Sequence, residues 1–132
     1  MCLITSQDKP YVAKEGIKCY KVIVRNWFGV YKTPIMGFRL KCSHVNGTEP
    51  VVAEGEETRL GNEIKGGYIH CFENMDNKNI GWLYLKYRFN PFRKAELHEC
   101  FIPSGTEYYS DGSGSIAAKR VFIGKRIKSK YE

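Results

Sequence analysis

At 132 residues the chain has room for one core, since single domains gather roughly 100 to 200 residues. Apolar side chains at 42% and aromatic ones at 14% exclude a disordered segment, and no apolar run approaches the roughly 20 residues that span a bilayer. Lys plus Arg number 21 against 14 Asp plus Glu, a net charge of +7, which favours an anionic partner and disfavours a cationic one.

The first eight residues carry neither the basic start nor the long apolar stretch of a secretory signal, so a soluble, cytoplasmic protein with no membrane partner is expected. Residues 17–24 are β-branched and aromatic without a helical stripe and read as a strand. Asn26-Trp27-Phe28-Gly29 supplies a turn, and Val30 to Thr33 returns as its hairpin partner before Pro34. Residues 38–42 alternate apolar and polar, which predicts a half-buried strand with Phe38, Leu40 and Cys42 inward. Residues 43–66 read as mostly loop, with short strands near Val51-Val52 and Thr58 to Leu60.

Gly66-Gly67 opens a strand through Phe72. Asn74 is placed to cap a helix in which Met75, Ile80, Leu83, Tyr84 and Tyr87 recur at near-helical spacing and Asp76 sits in the first turn. Gly81 weakens that helix, and the aromatic run from Trp82 to Phe89 fits an alternating strand as well; helix is the favoured reading. A strand over 95–102 places Leu97 and Phe101 on one face and stops at Pro103. A glycine- and serine-rich loop over 110–115, a turn of helix at 116–118 and a strand at 120–123 follow. The class is therefore α+β, a mostly antiparallel or mixed sheet with one main helix and long loops, as a single domain over 1–124 followed by a frayed basic tail over 125–132.

Charge is unevenly placed. Residues 1–48 carry eight basic and two acidic side chains, residues 49–76 two and seven, and residues 77–132 eleven and five. Five cysteines, at positions 2, 19, 42, 71 and 100, form no C-x-x-C pair and mostly sit in apolar segments, so buried thiols in a reducing compartment are expected.

Four constellations bear on chemistry. Ser110 to Arg120 resembles an anion cradle, with free amides at a helix start beside Lys119 and Arg120, although the Walker spacing is absent and the composition is that of an ordinary surface loop. Cys42 and His44, with His98 and Cys100, supply two C-x-H-type pairs for a zinc tetrahedron, but the spacing fits no common module and no metal site is assigned. His70 and Cys71, adjacent on a strand, face opposite ways and cannot serve each other as base and nucleophile. Tyr20, Tyr31, Tyr68, Tyr84, Tyr87, Tyr108 and Tyr109 lie among Lys21, Lys32, Lys86, Arg88 and Arg93, a mixture suited to stacking on bases, with core packing as the plainer use of many of these rings.

The stretches from Gly67 to Asn74, from Cys100 to Tyr109 and from Ile116 to Ile123 resemble small uncharacterised proteins of gut-type bacteria and their phages, a likeness that implies no activity. More remotely, strand, G-[FY] strand, helix, strand ending in Ile102-Pro103-Ser104-Gly105-Thr106, loop and final strand resemble the second half of ADP-ribosyltransferase domains. That resemblance implies a split-barrel arrangement and a nucleotide cleft. The chain carries Ile69-His70-Cys71-Phe72 where that family has a Ser-Thr-Ser stretch, and Ala117-Ala118-Lys119-Arg120 where it has a catalytic glutamate. A cation cannot stabilise an oxocarbenium-like transition state, so the resemblance implies binding without transfer.

The expected function is non-catalytic binding of a phosphate-bearing ligand, a nucleotide signal or nucleic acid, as in a phage-encoded sequestering or anti-defence protein. Lys21, Arg25, His70, Arg88, Lys119 and Arg120 would supply charge, and Tyr20, Tyr108 and Tyr109 stacking; no catalytic residue and no cofactor are assigned, and self-association stays open. Two alternatives stand beside it: an ADP-ribosyl-transferring or NAD-cleaving enzyme using Glu99 or Glu107, and an interaction protein docking on a host protein through its acidic middle and basic ends.

Overall fold

The computed structural model describes residues 3–34 and 39–132. Its frame is a pair of ten-residue antiparallel strands, β3 (Ile17–Asn26) and β10 (Arg93–Ile102), paired along their whole length from Ile17↔Ile102 to Asn26↔Arg93. Alternation sends Cys19, Ile23, Cys100 and Ile102 to one face and Val22, Ala95 and Leu97 to the other, and both faces are buried.

Before the frame come β1 (Leu3–Ile4) and β2 (Tyr11–Val12). Between its strands lie β4 (Tyr31–Lys32), β5 (Arg39–Leu40), the short helix α1 (Cys42–Val45), β6 (Val51–Val52), β7 (Thr58–Leu60), β8 (Glu63–Gly66), β9 (Ile69–Phe72) and the main helix α2 (Lys78–Tyr87). After it come β11 (Glu107–Ser110), β12 (Ser115–Ala118) and β13 (Arg120–Ile127). The large sheet runs β2-β11-β12-β9-β3-β10-β13-β6, with β4 and β5 added beside β3, and the small one runs β1-β8-β7. Every pairing is antiparallel. The class is α+β with one main helix, and the large sheet is open, with β2 and β6 as its ends and no closed barrel.

One face of the large sheet encloses Cys19, Ile23, Cys71, Ile116, Val121 and Ile123. The other receives α2 through Ile80, Leu83 and Tyr84, whose i, i+3, i+4 spacing makes one apolar stripe against Val22, Phe72 and Leu97. The small sheet closes a third cluster, Leu3 and Ile64 against Tyr68, Tyr109 and Ala117.

The hairpin turn after β3 forms as expected: the Asn26 side chain accepts from the amides of Phe28 at 3.0 Å and Val30 at 2.9 Å, and Gly29 takes a φ of 79°. Other expectations need correction. The cap of α2 is Asn77, accepting from the Asn79 amide at 2.9 Å, not Asn74; Asn74 to Asp76 form a preceding turn in which the Asn77 amide reaches the Asn74 carbonyl. Leu40 is buried as expected, but Cys42 is exposed on α1, and Phe38 lies outside the described residues. Residues 43–66 contain α1 and β8 besides the two short strands expected there.

Residues 125–132 are not a frayed tail. β13 continues to Ile127, Ser129 is buried, and the Tyr131 hydroxyl donates to the Asp76 carbonyl at 2.8 Å. The basic composition hid a single aromatic anchor that fits against α2.

Candidate functional site: a basic, aromatic cleft

β13 stops at Ile127, opposite Leu97, so the first half of β10, Arg93 to Glu96, is hydrogen-bonded to β3 alone. The resulting notch is walled by the last turn of α2, the hairpin tip and the chain after β13. It forms a cleft of about 580 Å³, within the range of small-ligand sites.

Each wall contributes cations and rings. The β3 end and hairpin bring Arg25 and Trp27, α2 and its C-cap bring Tyr84, Tyr87 and Arg88, the turn into β10 brings Phe92, β10 brings Lys94 and Glu96, and the chain end brings Arg126, Tyr131 and Glu132. Asn90 sets the last turn, its side chain accepting from the Phe92 amide at 2.9 Å and the Arg93 amide at 3.2 Å. The Trp27 amide donates to the Phe92 carbonyl at 3.0 Å, which locks hairpin and turn together.

The cations fall into two kinds. Arg126 is engaged by carboxylates, with Nη2 3.3 Å from Glu132 Oε1 and Nη1 3.7 Å from Glu96 Oε1. Arg25, Arg88 and Lys94 make no ion pair among the described residues. The carbonyl end of α2 disfavours an anion by roughly 0.3–1 kcal/mol, and Arg88 at the C-cap offsets this. Burial, then the Glu132 carboxylate, push the Tyr84 hydroxyl up to about 12, so at neutral pH it remains a donor, 3.4 Å from Glu132 Oε1.

Beneath the cleft lies a buried polar group. His98 Nδ1 donates to the Gly124 carbonyl at 2.9 Å, which turns Nε2 to Glu96 Oε2 at 3.3 Å. Tyr31 stands edge-on to His98, with centroids 6.3 Å apart, and its hydroxyl is raised by burial and then by the Glu96 charge.

Of the nine residues to which the sequence reading assigns ligand binding, only Arg25 and Arg88 line this cleft, joined by Tyr84 and Tyr87 from the wider set of tyrosines named for stacking. Lys21 is buried and donates to the His70 carbonyl at 2.8 Å. The half-buried His70 imidazole is pushed down to about 4 by burial and then by Lys21. Tyr20 packs under α2, and Tyr108 meets Tyr11 edge-on at 5.8 Å. Tyr109 is buried and donates to Glu57 Oε1 at 2.7 Å, beside Tyr68, which donates to the same oxygen at 2.9 Å. Lys119 lies over the Tyr68 ring at 4.4 Å, and Arg120 is exposed on β13 opposite Val52.

The anion cradle expected at 110–120 is filled from within. Residues 115–118 form β12 and not a helix, and the Asp111 side chain accepts from the amides of Ser113 at 2.7 Å and Ser115 at 3.0 Å. The zinc pairs do not converge: His44 Nδ1 accepts from the Lys41 amide, His98 and Cys100 are buried, and no group of three or more metal-ligating side chains occurs among the described residues. Glu99 pairs with Lys18 at 2.8 Å and Lys125 at 3.9 Å, and neither it nor Glu107 lines the cleft.

Sequence reasoning does not single out Trp27, Phe92 or Lys94. A signal for the first is nonetheless present: two large apolar rings, Trp27 and Phe28, stand at the tip of a tight hairpin, where polar residues are the rule.

Comparison with protein-family models, curated proteins and solved structures found no match. No helix among the described residues is long and apolar enough to cross a membrane.

Proposed function

We propose that the protein binds, without transforming it, a ligand that joins a phosphate group to an aromatic base, and that the cleft between the hairpin, α2 and β10 is its seat. The carrying observation is the convergence of Arg25, Arg88 and Lys94, none held by a carboxylate among the described residues, with Trp27, Tyr87 and Phe92 around one space of about 580 Å³. Guanidinium and ammonium groups supply charge-assisted hydrogen bonds to phosphate oxygens. The rings supply faces for a base, each stacked base contributing roughly 1–3 kcal/mol. Nothing in this reading needs a nucleophile or a general acid, and a protein that sequesters such a ligand would need none.

The test is a thermal-shift screen at low salt with nucleoside monophosphates, cyclic dinucleotides, ADP-ribose compounds and short oligonucleotides. Stabilisation by at least one class, abolished in Arg25→Ala and Arg88→Ala, is expected. Absence of any shift across the panel refutes the proposal.

A further inference from the structure

A second hollow of about 80 Å³ adjoins the cleft and shares two of its residues, Asn26 and Tyr87. It is too small for a base, and its lining includes two more cations, Lys32 and Arg93, with no ion pair among the described residues. One ligand crossing the Asn26–Tyr87 saddle would meet Arg25, Arg88 and Lys94 on one side and Lys32 and Arg93 on the other.

At and next to the lining residues Trp27 and Arg88 stand the most exposed rings of the described chain. Trp27 is 69% exposed, Phe28 75% and Phe89 86%. Trp27 and Phe28 have centroids 4.4 Å apart and Trp27 and Phe92 6.3 Å, so these three form one group, and the guanidinium of the lining Arg88 lies 5.6 Å from the Phe89 ring. Rings of this size grouped in water beside a cleft are an interaction surface. Their interleaving with five cations that make no ion pair among the described residues selects a polyanion with flat apolar faces.

We infer that the occupant is a single strand of nucleic acid rather than a free nucleotide, an inference that rests on the cleft reading above. One nucleotide sits in the cleft, the next phosphate lies over the small hollow between Lys32 and Arg93, and neighbouring bases stack on Phe28 and Phe89. A duplex would keep its bases paired and offer the rings nothing, so the surface discriminates by strandedness and not by base identity.

The experiment titrates the protein, as Trp82→Phe so that Trp27 is the sole reporter, with thymidylate and with oligothymidylates of two to eight residues, following fluorescence quenching. Affinity is expected to rise at least tenfold between one and four nucleotides. Phe28→Ser and the double variant Lys32→Ala/Arg93→Ala should lose most of that gain while binding the mononucleotide as before. The double variant should also flatten the salt dependence, by about 0.7 in log K per log salt for each phosphate it no longer neutralises. Equal affinity for one and eight nucleotides overturns the inference and leaves the cleft proposal standing; no quenching by any of them overturns it too, and the cleft proposal then stands or falls on the ligand panel above. Equal binding of duplex, or equal competition by inorganic polyphosphate, shows that charge alone is read and overturns it as well. Retention on anionic vesicles without binding of any oligonucleotide assigns the rings to a lipid surface, which also overturns it.

Discussion

The ring of Tyr131 lies against Gly81, the residue of α2 with no side chain to hold it off: a Cβ atom added there would stand 2.6 Å from Tyr131 Cε1. The gap in the helix surface and the anchor of the chain end are one fit. Glycine in a helix costs about 1 kcal/mol relative to alanine, so an isolated view of α2 makes Gly81→Ala stabilising. The docked ring reverses the sign. Gly81→Ala is expected to lower the urea midpoint by about 1 kcal/mol of stability, as overpacking does, whereas in a Tyr131→Ala background it should raise it. A midpoint that rises in both backgrounds would mean that Tyr131 does not seat there.

Removing a cation from the cleft should weaken binding without unfolding the protein. Arg25, Arg88 and Lys94 are exposed and outside every core cluster. Arg25→Ala, Arg88→Ala and Lys94→Ala are each expected to cost about 1.5–3 kcal/mol of affinity for a phosphate ligand, the worth of a charge-assisted hydrogen bond. Isothermal titration checks the loss, and an unchanged melting temperature checks that it is local. Lys119→Ala and Arg120→Ala, at other sites, should leave affinity within about twofold.

Glu96 is buried among partners that depend on it. Its carboxylate meets His98 at 3.3 Å and Arg126 at 3.7 Å. Glu96→Ala leaves the buried His98 Nε2 without its partner, while Arg126 keeps Glu132, and is expected to cost about 1–3 kcal/mol of stability, the cost of an unsatisfied buried polar group. Glu96→Gln, which keeps an acceptor oxygen, should cost less than half of that. Equilibrium urea unfolding separates the two, and equal losses would show that the charge of Glu96 carries the whole effect.

His70 gives the fold a pH dependence with a definite sign. Burial and the neighbouring Lys21 push it from 6.5 to about 4, so the folded chain binds fewer protons there than the unfolded chain. Its contribution is therefore complete above pH 6.5 and declines as pH falls through the interval down to about 4. Between about pH 7.5 and 5 the loss should reach about 2 kcal/mol. Unfolding of His70→Asn over the same range should show a flatter profile, and an identical slope in both proteins would exclude His70 as its source.

The sheet is legible in the sequence because its strands follow local rules. Residues 19–24, Lys21 apart, are apolar or aromatic on both faces and lie buried or half-buried on both; the Asn26 turn is written in a side chain that accepts from two amides. The helix is legible from Ile80, Leu83 and Tyr84, but its start is displaced by three residues because Asn74 and Asn77 are equally good caps. The cleft is not legible. It exists because two sequence-distant strands end out of step, and a mismatch in length leaves no local pattern. The tyrosines and cations nominated by composition are mostly consumed by tertiary partners, as Tyr109 is by Glu57 and Lys21 by the His70 carbonyl. The loop over 110–115 has the composition of an anion site, but its own Asp111 already fills that role.

Because β13 ends opposite Leu97 while β10 begins at Arg93, the depth of the notch is set by the length of one terminal strand. Each further paired residue on β13 would cover one more of the four residues, Arg93 to Glu96, that β3 alone now holds. The cleft can thus be resized by changes at and just after the end of β13, with the paired frame of β3 and β10 left as it is.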